Sequence, residues 1–401
     1  MLRASKFLGV SAWVIAVAFL LYQFSIQTAY SVISPTLASS LDLTLADVTL
    51  LAALYTWTYA ISQMFGGVLL DRFGGSRLLI PQVCIFITGV YLFSVADSML
   101  LLVIAQVMMA VGASSSFIIA GFIGGEWFGK RRYGLLFGYV QALAGFSSAL
   151  GTRMIHGMVV ADGWRETLWV ATLAGVVILV LAMCAFRDPA KNYSDFTRGR
   201  QPVPLLEGLM TLWRSHRTIF VYAIWAGIAF GLQIALGVVW APRILQSMLN
   251  DPESAPLASS FVWLGLGLGA LFWERWSYRL NRRQLPLKVG YALLVLSIVV
   301  LLLVPGLSLY SVFALMTVFG FANGVHMLAY TCTADRLPSG LVGTASAIIN
   351  ASCFICGGLL IKIPPLLFGL GGAWYVPYLP YVLLLLIGLM LAWHQEETAA
   401  R

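Results

Sequence analysis

The residues of this chain that stand out chemically are cations buried in long apolar segments. Five ionisable side chains fall inside such segments: Arg153, His156, Arg243, His326 and Lys362. All sixteen Asp and Glu residues fall in the loops or at the segment ends. A charge at the centre of a membrane helix costs about 2.5–3.5 kcal/mol or more, so such residues mark candidate functional sites. Because these cations lack acidic neighbours, the pattern predicts an anionic ligand, most simply an organic anion.

Each of these five residues also has a simpler interpretation. Arg153, Arg243 and Lys362 lie nearer to one end of their segments, where long side chains reach the membrane interface. His156 and His326 are candidates for a proton-carrying role, and hydrogen-bonded core histidines are the alternative.

Uncharged polar residues lie closer to the middle of the segments. Gln23, Gln27 and Tyr30 are spaced to share one helix face, and Tyr55 and Tyr59 share another with Gln63. The candidate substrate-binding set is Gln23, Gln27, Tyr30, Tyr55, Tyr59, Gln141, Arg153, Gln233, Asn323, His326, Asn350 and Lys362. For each polar residue, a hydrogen bond between helices is the alternative role.

The composition indicates that membrane helices position these residues. Of 401 residues, 60% are hydrophobic and 10% are charged, whereas about 25% are charged in soluble domains. Continuous apolar runs of about 20 residues favour helices over the alternating strands of a barrel. Twelve spans, numbered 1–12 below, are predicted at about 9–33, 48–70, 77–96, 99–124, 133–160, 164–186, 217–243, 257–275, 285–304, 307–332, 341–368 and 372–393.

Basic residues predict the orientation of these spans. With a cytoplasmic N-terminus, the inner loops collect 20 of the 24 Lys and Arg residues, as the positive-inside rule requires. Both termini are therefore expected in the cytoplasm, and the net charge of +8 reflects topology rather than nucleic-acid binding. A polar linker at 187–216 separates two six-helix halves, 1–186 and 217–401. This organisation predicts a transporter built from repeats, with its substrate site between the halves.

A motif after span 2 gives the chain a family resemblance. The stretch Gly67-Val-Leu-Leu-Asp71-Arg72-Phe-Gly74-Gly-Ser-Arg77 resembles the signature of the major facilitator superfamily between its second and third helices. Trp127-Phe128-Gly-Lys130-Arg131-Arg132-Tyr-Gly134 and Gly163-Trp164-Arg165 also resemble that superfamily. In the C-terminal half the signature is degraded, since Ala270 and Trp276 replace glycines. The resemblance implies an all-α fold of twelve transmembrane helices in two pseudo-symmetric halves, and transport by alternating access.

The resemblance also implies a cytoplasmic gate. Charged clusters end spans 2 and 4 in one half and spans 8 and 10 in the other, and such clusters close the inner side of superfamily members. The candidate gate residues are Gly67, Asp71, Arg72, Gly74, Arg77, Glu126, Glu274, Arg275, Asp335 and Arg336. In the N-terminal half, Arg72 and Arg77 are expected to pair with Glu126. Ordinary solvated charges at the ends of spans are the alternative.

Two departures disfavour proton-coupled drug antiport. Antiporters of the superfamily usually carry an Arg in the fourth helix, where this chain has Gln106. The fifth span also lacks the Gly-Pro pair of the antiporter signature.

Other classes of function find little support in the sequence. The chain has no phosphate-binding loop, metal-binding helix or nucleophile elbow, so neither an enzyme nor a cofactor is expected. The expected protein is a monomer in a bacterial inner membrane whose partner is a small molecule. No span contains a carboxylate relay. The protein is therefore expected to work as a facilitator, as an anion exchanger, or with protons carried by the substrate or by a histidine. Arg153 and Lys362 are expected to hold one anion from opposite halves. Neutral or zwitterionic metabolites, a siderophore-like chelate, and a non-transporting sensor or scaffold stay open.

Overall fold

A computed structural model describes residues 2–128, 133–186, 205–337 and 339–398, and these residues form helices and no strand. The rest of the chain, including Lys130 and most of the linker, lies outside the described residues. The helices are α1 (Leu2–Thr28), α2 (Tyr30–Ser40), α3 (Leu45–Phe73), α4 (Gly75–Ser94), α5 (Met99–Ala113), α6 (Ser116–Phe128), α7 (Tyr133–Asp162), α8 (Trp164–Ala185), α9 (Leu205–Ser215), α10 (Thr218–Ala235), α11 (Ala241–Leu249), α12 (Leu257–Leu280), α13 (Gln284–Leu303), α14 (Leu309–Asn323), α15 (Leu328–Arg336), α16 (Ser339–Leu367) and α17 (Leu379–Trp393).

Ten helical runs among the described residues are long and apolar enough to cross a bilayer. They are Gly9–Thr28, Arg77–Ser94, Met99–Gly121, Trp164–Ala185, Thr218–Leu249, Leu257–Leu280, Gln284–Leu303, Leu309–Arg336, Thr344–Leu367 and Val376–Trp393. Predicted spans 2 and 5 correspond to α3 and α7, which are 29 and 30 residues long but are not among these ten. The prediction of an all-helical membrane protein is confirmed, and the count of twelve spans stays a prediction.

Every third predicted span is interrupted. Span 1 breaks at Ala29, between α1 and α2, and span 4 breaks at Ser114 and Ser115, between α5 and α6. Span 7 contains a π-helix at Leu236–Trp240, and span 10 contains a 3₁₀ turn at Gly324–Met327. Such segments inside long helices often mark hinges or functional sites. Their recurrence agrees with an architecture of three-helix units, in which broken helices line the binding site.

The predicted polar linker contains a helix. Within 187–216, α9 is amphipathic, with Gly208 and Leu212 buried and Glu207 and Arg214 exposed. It packs on the beginning of α16, where a Cβ on Gly208 would lie 3.0 Å from the Thr344 hydroxyl. The apolar face of α9 explains why this part of the linker is helical rather than extended.

The antiparallel helices α3 and α16 join the two halves of the chain. The Trp57 indole nitrogen donates to the Ile355 carbonyl at 3.2 Å. Two residues further along α3, the Tyr59 ring packs against Phe354 with 4.3 Å between ring centroids. A Cβ on Gly358 would overlap the Trp57 indole, so the absent side chain allows this close approach.

A second contact between the halves pairs α7 with α12. Here Gly145 faces Gly267 so closely that a Cβ on Gly145 would lie 2.7 Å from the Gly267 nitrogen and 3.0 Å from the Trp263 carbonyl. Because neither glycine has a side chain, the two backbones meet directly. The halves are therefore in contact through these two helix pairs and also where the π-helix Leu236–Trp240 meets α2.

Candidate functional site

A narrow cavity lies beside the interruptions in spans 1 and 7. It is lined by Ile26, Gln27, Tyr30, Ile33, Ala52, Tyr55, Thr56, Phe93, Gln106, Met109, Leu168 and Val238. All of these residues except Val238 belong to the N-terminal half. The cavity volume of about 20 Å³ gives room for about one water molecule, so this conformation is closed to an organic solute.

Two amides face this cavity without a hydrogen bond to the described residues. Gln27 is 7% exposed and Gln106 is 3% exposed, and both line the cavity. An amide carries two donors and an acceptor, and buried polar groups are normally paired. The two amides are therefore suited to a polar solute. Sequence reasoning noted Gln106 only as a departure from the antiporter signature, and it missed Thr56.

Other candidates in the N-terminal half bond between helices. The Gln23 side-chain amide donates through Nε2 to the Ser116 hydroxyl at 3.2 Å, and its Oε1 accepts from the Tyr55 hydroxyl at 3.4 Å. Gln23 thus connects α1, α3 and α6, while Tyr55 also reaches the cavity. Tyr59 faces Phe354 across the interface. Of the twelve candidates, only Gln27, Tyr30 and Tyr55 line the cavity.

Asn350 is the centre of a polar contact between the halves. Its amide nitrogen donates to the Gln63 side-chain carbonyl, and its own carbonyl accepts from the Tyr330 hydroxyl at 3.1 Å. These bonds extend the α3–α16 interface beyond Tyr59. Asn350 therefore joins helices in this conformation.

A polar cluster lies in the interior of the C-terminal half. The Gln233 amide donates to the Val262 carbonyl at 3.0 Å, and the Asn323 amide donates to the Ala229 carbonyl at 2.7 Å. Since backbone carbonyls only accept, both side-chain oxygens point away from these bonds, and both are buried without a partner among the described residues. His326 lies 2.8 Å from the Asn323 carbonyl through Nδ1, which therefore carries the proton.

Gln141 is the remaining uncharged candidate. It is buried in α7, one turn before Gly145, and its amide nitrogen has no partner among the described residues. It therefore lies near the α7–α12 contact rather than in the cavity lining.

Lys362 connects α16 to the beginning of α3. Its ammonium donates to the Ala46 carbonyl at 3.2 Å and to the Thr49 hydroxyl at 3.4 Å. Nearby, the Asp47 carboxylate accepts bonds from the Thr44 hydroxyl at 2.6 Å and the Thr44 nitrogen at 2.9 Å. These bonds, with a smaller effect of Lys362, lower the pKa of Asp47. We call this part of the bundle, at Ala46, Arg243 and Lys362, the Lys362 end.

Arg243 lies at the same end, among aromatic side chains. Its guanidinium carbon is 5.6 Å from the centre of the Trp240 ring. Tyr30 and Tyr378 are its electrostatic neighbours. No described residue accepts a hydrogen bond from this guanidinium.

Arg153 is placed differently. It is exposed on a stripe of α7 that also contains Leu150, Met154 and Val160, exposed by 66%, 67% and 73%. Lys362, on α16, instead bonds to the Ala46 carbonyl at the beginning of α3. The structure does not bring Arg153 and Lys362 together, so in this conformation they do not hold one anion between them.

Comparison with known proteins assigns the chain to a family. The model of the Major Facilitator Superfamily matches residues 15–361. The chain belongs to the Major Facilitator Superfamily. It is similar to the uncharacterized transporter YybO of Bacillus subtilis, at 21% identity over 91% of this chain and 88% of the relative.

Two further relatives of this superfamily member match over about half of their length. The chain is 23% identical to the probable sulfoacetate transporter SauU of Cupriavidus necator, over 54% of this chain and 52% of the relative. It is 22% identical to the multidrug resistance protein MdtL of Escherichia coli, over 42% of this chain and 43% of the relative.

The superfamily signature falls on the turn between α3 and α4. Gly74, with φ of +82°, is the single residue between these helices, and its N–H donates to the Leu70 carbonyl at 2.9 Å. A positive φ favours glycine. Arg77 is exposed. The surroundings of the other predicted gate residues in this half lie outside the described part of the structure: Gly67, Asp71, Arg72 and Glu126.

In the C-terminal half, the predicted gate residues contact partners that the sequence did not indicate. Asp335 pairs with Arg283 at 3.1 Å, and Arg336 pairs with Glu396 at 2.9 Å. We call this part of the bundle, at Arg283, Asp335 and Glu397, the tail end. At the same end, Glu274 accepts from the Thr331 hydroxyl at 2.6 Å, while Arg275 is exposed.

The segment after α17 closes over this end of the superfamily member. The Glu397 carboxylate accepts the N–H groups of Arg283 and Gln284 at 2.7 and 3.2 Å. These groups begin α13, so Glu397 caps that helix and opposes the positive end of its dipole. The Gln284 side chain also donates to the Gln395 carbonyl at 2.6 Å.

Proposed function

We propose that this member of the Major Facilitator Superfamily is a secondary transporter of a small organic anion. The observation that carries the proposal is the distribution of ion pairs. Both ion pairs among the described residues, Arg283–Asp335 and Arg336–Glu396, lie at the tail end. At the Lys362 end, Arg243 and Lys362 form no ion pair with a described residue. Lys362 has the Asp47 carboxylate as an electrostatic neighbour. Arg243 is partly buried and has no acidic neighbour among the described residues, which favours an anionic solute.

Alternating access supplies the mechanism of this proposal. Two helix pairs hold the halves together, and the cavity has no room for an organic solute. In this proposal, a solute enters when α3 separates from α16, or α7 from α12. In the proposed arrangement, twelve helices form two six-helix halves, the Lys362 end faces outward, and the tail end and both termini face the cytoplasm.

One relative supports an anionic substrate, and the organisms of all three support a bacterial membrane. One of them is named as a probable transporter of sulfoacetate, which is an organic anion. The relatives come from Bacillus, Cupriavidus and Escherichia. We therefore place the protein in a bacterial cytoplasmic membrane.

A neutral polar solute is the second candidate, and the cavity itself favours it. The unpaired polar side chains that line the cavity, Gln27 and Gln106, are uncharged. If they alone select the substrate, an amide or a polyol would bind as well as a carboxylate does.

A ligand-stabilisation screen of the purified protein separates the two candidates. The panel contains malonate, succinate, benzoate and lactate, each beside its amide. A bound solute raises the melting temperature by mass action. An anion transporter is stabilised by at least one carboxylate and not by the matching amide. Stabilisation by the amides alone would establish the second candidate and overturn the first.

A further inference from the structure

The strongest unexplained feature outside the cavity is the guanidinium of Arg243. Arg243 follows the π-helix at Leu236–Trp240 and is neither fully buried nor exposed. An Arg side chain carries five N–H donors, and none of them donates to a described residue. The ring of Trp240 lies 5.6 Å from its guanidinium carbon, and Tyr30 and Tyr378 are close enough to interact with it electrostatically.

These aromatic side chains are held in place by other bonds. The Trp240 indole donates to the Ile361 carbonyl at 3.2 Å, and the Tyr30 hydroxyl donates to the Val48 carbonyl at 2.8 Å. The ring of Tyr378 packs against Trp240 with 5.8 Å between centroids. Because the Tyr30 hydroxyl donates elsewhere, its oxygen remains an acceptor. The walls are therefore fixed before any ligand arrives.

Tyr30 links the surroundings of Arg243 to the cavity. It lines the cavity together with Gln27, and it is also an electrostatic neighbour of Arg243. The Tyr30 side chain itself is buried, with 6% of its surface exposed. Arg243 therefore lies beyond the end of the cavity, on the side of the Lys362 end.

We propose that Arg243, beside the ring of Trp240 and near Tyr30 and Tyr378, is a subsite for the carboxylate group of the transported solute, and that Tyr30 separates this subsite from the cavity. A guanidinium binds a carboxylate through two parallel hydrogen bonds, which an ammonium does not offer. The rest of the solute then reaches towards Gln27 and Gln106. The subsite rests on the proposed transport of organic anions, and it goes further by naming the group that is bound and the residue that binds it.

Lipid phosphate is the other source of an anionic oxygen at this depth. The surroundings of Arg243 favour the solute, since Trp240 and Tyr378 are 0% and 1% exposed. Arg153, by contrast, lies on an exposed stripe of α7, as a residue that reaches for lipid headgroups does.

Binding of the four carboxylates to purified variants in nanodiscs tests the subsite. Arg243→Gln is expected to weaken binding at least tenfold for each carboxylate that the wild-type protein binds, and Arg243→Lys is expected to recover part of the loss. Arg279→Gln removes an exposed cation of α12 and is the matched control, with unchanged affinity. The expected loss is the same in zwitterionic and anionic lipid. A loss in anionic lipid alone would assign Arg243 to lipid and overturn the subsite.

A measurement on the wild-type protein covers the case in which Arg243→Gln does not fold. Phenylglyoxal modifies arginine, and peptide mass spectrometry reports its reaction with Arg243. Bound carboxylates are expected to slow this reaction, whereas their amides leave it unchanged. Full affinity in Arg243→Gln, or no protection of Arg243, contradicts the subsite and leaves anion transport standing. If the wild-type protein binds none of the carboxylates, the proposed function itself fails.

Discussion

The ammonium of Lys362 lies 3.2 Å from the carbonyl oxygen of Ala46, and this bond crosses from one half of the chain to the other. Lys362 belongs to α16 and Ala46 to the first turn of α3. The same two helices meet again where Trp57 donates to Ile355. Lys362 therefore helps to close its end of the bundle, and it must release Ala46 when that end opens.

Replacing Lys362 should loosen this closure. Lys362→Gln loses charge-assisted bonds to Ala46 and Thr49, each worth about 1.5–3 kcal/mol at most. We expect a several-fold rise in outward-open molecules. A cysteine at Ala52, which is 3% exposed in the cavity wall, should react faster with an impermeant maleimide added from outside.

Arg279→Gln serves as the control, because it removes an exposed cation of α12 rather than one of α3 or α16. Labelling at position 52 should match the unmodified protein in this variant. Equal labelling in Lys362→Gln would show that the residue does not hold the closed state.

The glycine contact between α7 and α12 should be equally sensitive. In Gly145→Val, the new side chain meets the Gly267 nitrogen and the Trp263 carbonyl, within 2.7 and 3.0 Å of its Cβ. Overpacking of this kind costs about 1–3 kcal/mol. Because the halves then cannot close at this contact, we expect at least a tenfold lower transport rate.

Gly157→Val is the matched control on the same helix. A Cβ on Gly157 has no neighbour within 4 Å. Transport by Gly157→Val should stay within about twofold of the wild-type rate. If both variants transport alike, close approach at Gly145 is not required for the cycle.

The sequence predicted the helices well because apolar runs of about 20 residues leave few alternatives in lipid. The interruptions at Ala29 and Gly324–Met327 were not predicted, since no proline lies in them and they depend on packing. The π-helix at Leu236–Trp240 was also not predicted, although Pro242, which has no N–H to continue the helix, follows it. Arg153 and Arg243 look alike in sequence, as single cations near the ends of apolar runs. Only the fold distinguishes them, since it places Arg153 on an exposed stripe of α7 and Arg243 beside the Trp240 ring.

Pairing at the tail end was missed for a similar reason. The charges of Asp335 and Arg336 marked a candidate gate. Their partners, Arg283 and Glu396, are 52 and 60 residues away in the chain, and spacing along the sequence carries no signal for such contacts. The side chains of Asp71 and Glu126 lie outside the described residues, so the latch predicted in the N-terminal half stays a prediction.

The carboxylate of Glu397 should matter more for stability than that of Glu396. Glu397→Gln weakens the cap of α13, and lost caps cost about 0.5–2 kcal/mol. Glu396 is 82% exposed in its pair with Arg336, so Glu396→Gln should cost less than about 0.5 kcal/mol. Thermal unfolding in nanodiscs compares the two. An equal or smaller effect of Glu397→Gln would exclude the capping role.

The beginning of α3 should respond to acid. Hydrogen bonds from Thr44 lower the pKa of Asp47 in the folded protein. This carboxylate therefore adds stability above its unfolded pKa of about 3.9, and the stability is lost as the pH falls through the lower folded pKa. We expect wild-type protein to melt slightly above Asp47→Asn at pH 7 and pH 5. The difference should shrink below pH 4, and a difference that grows on acidification contradicts the assigned bonds.

Counterflow in liposomes tests the central claim, transport of an organic anion, most directly. Purified protein is reconstituted with an excess of the unlabelled carboxylate that stabilises it most, and the same labelled carboxylate is added outside. The account predicts a transient accumulation of label above its equilibrium level, which is lost in Gly145→Val and absent when the amide replaces the carboxylate. No accumulation for any of the four carboxylates, or accumulation of an amide instead, would contradict the account.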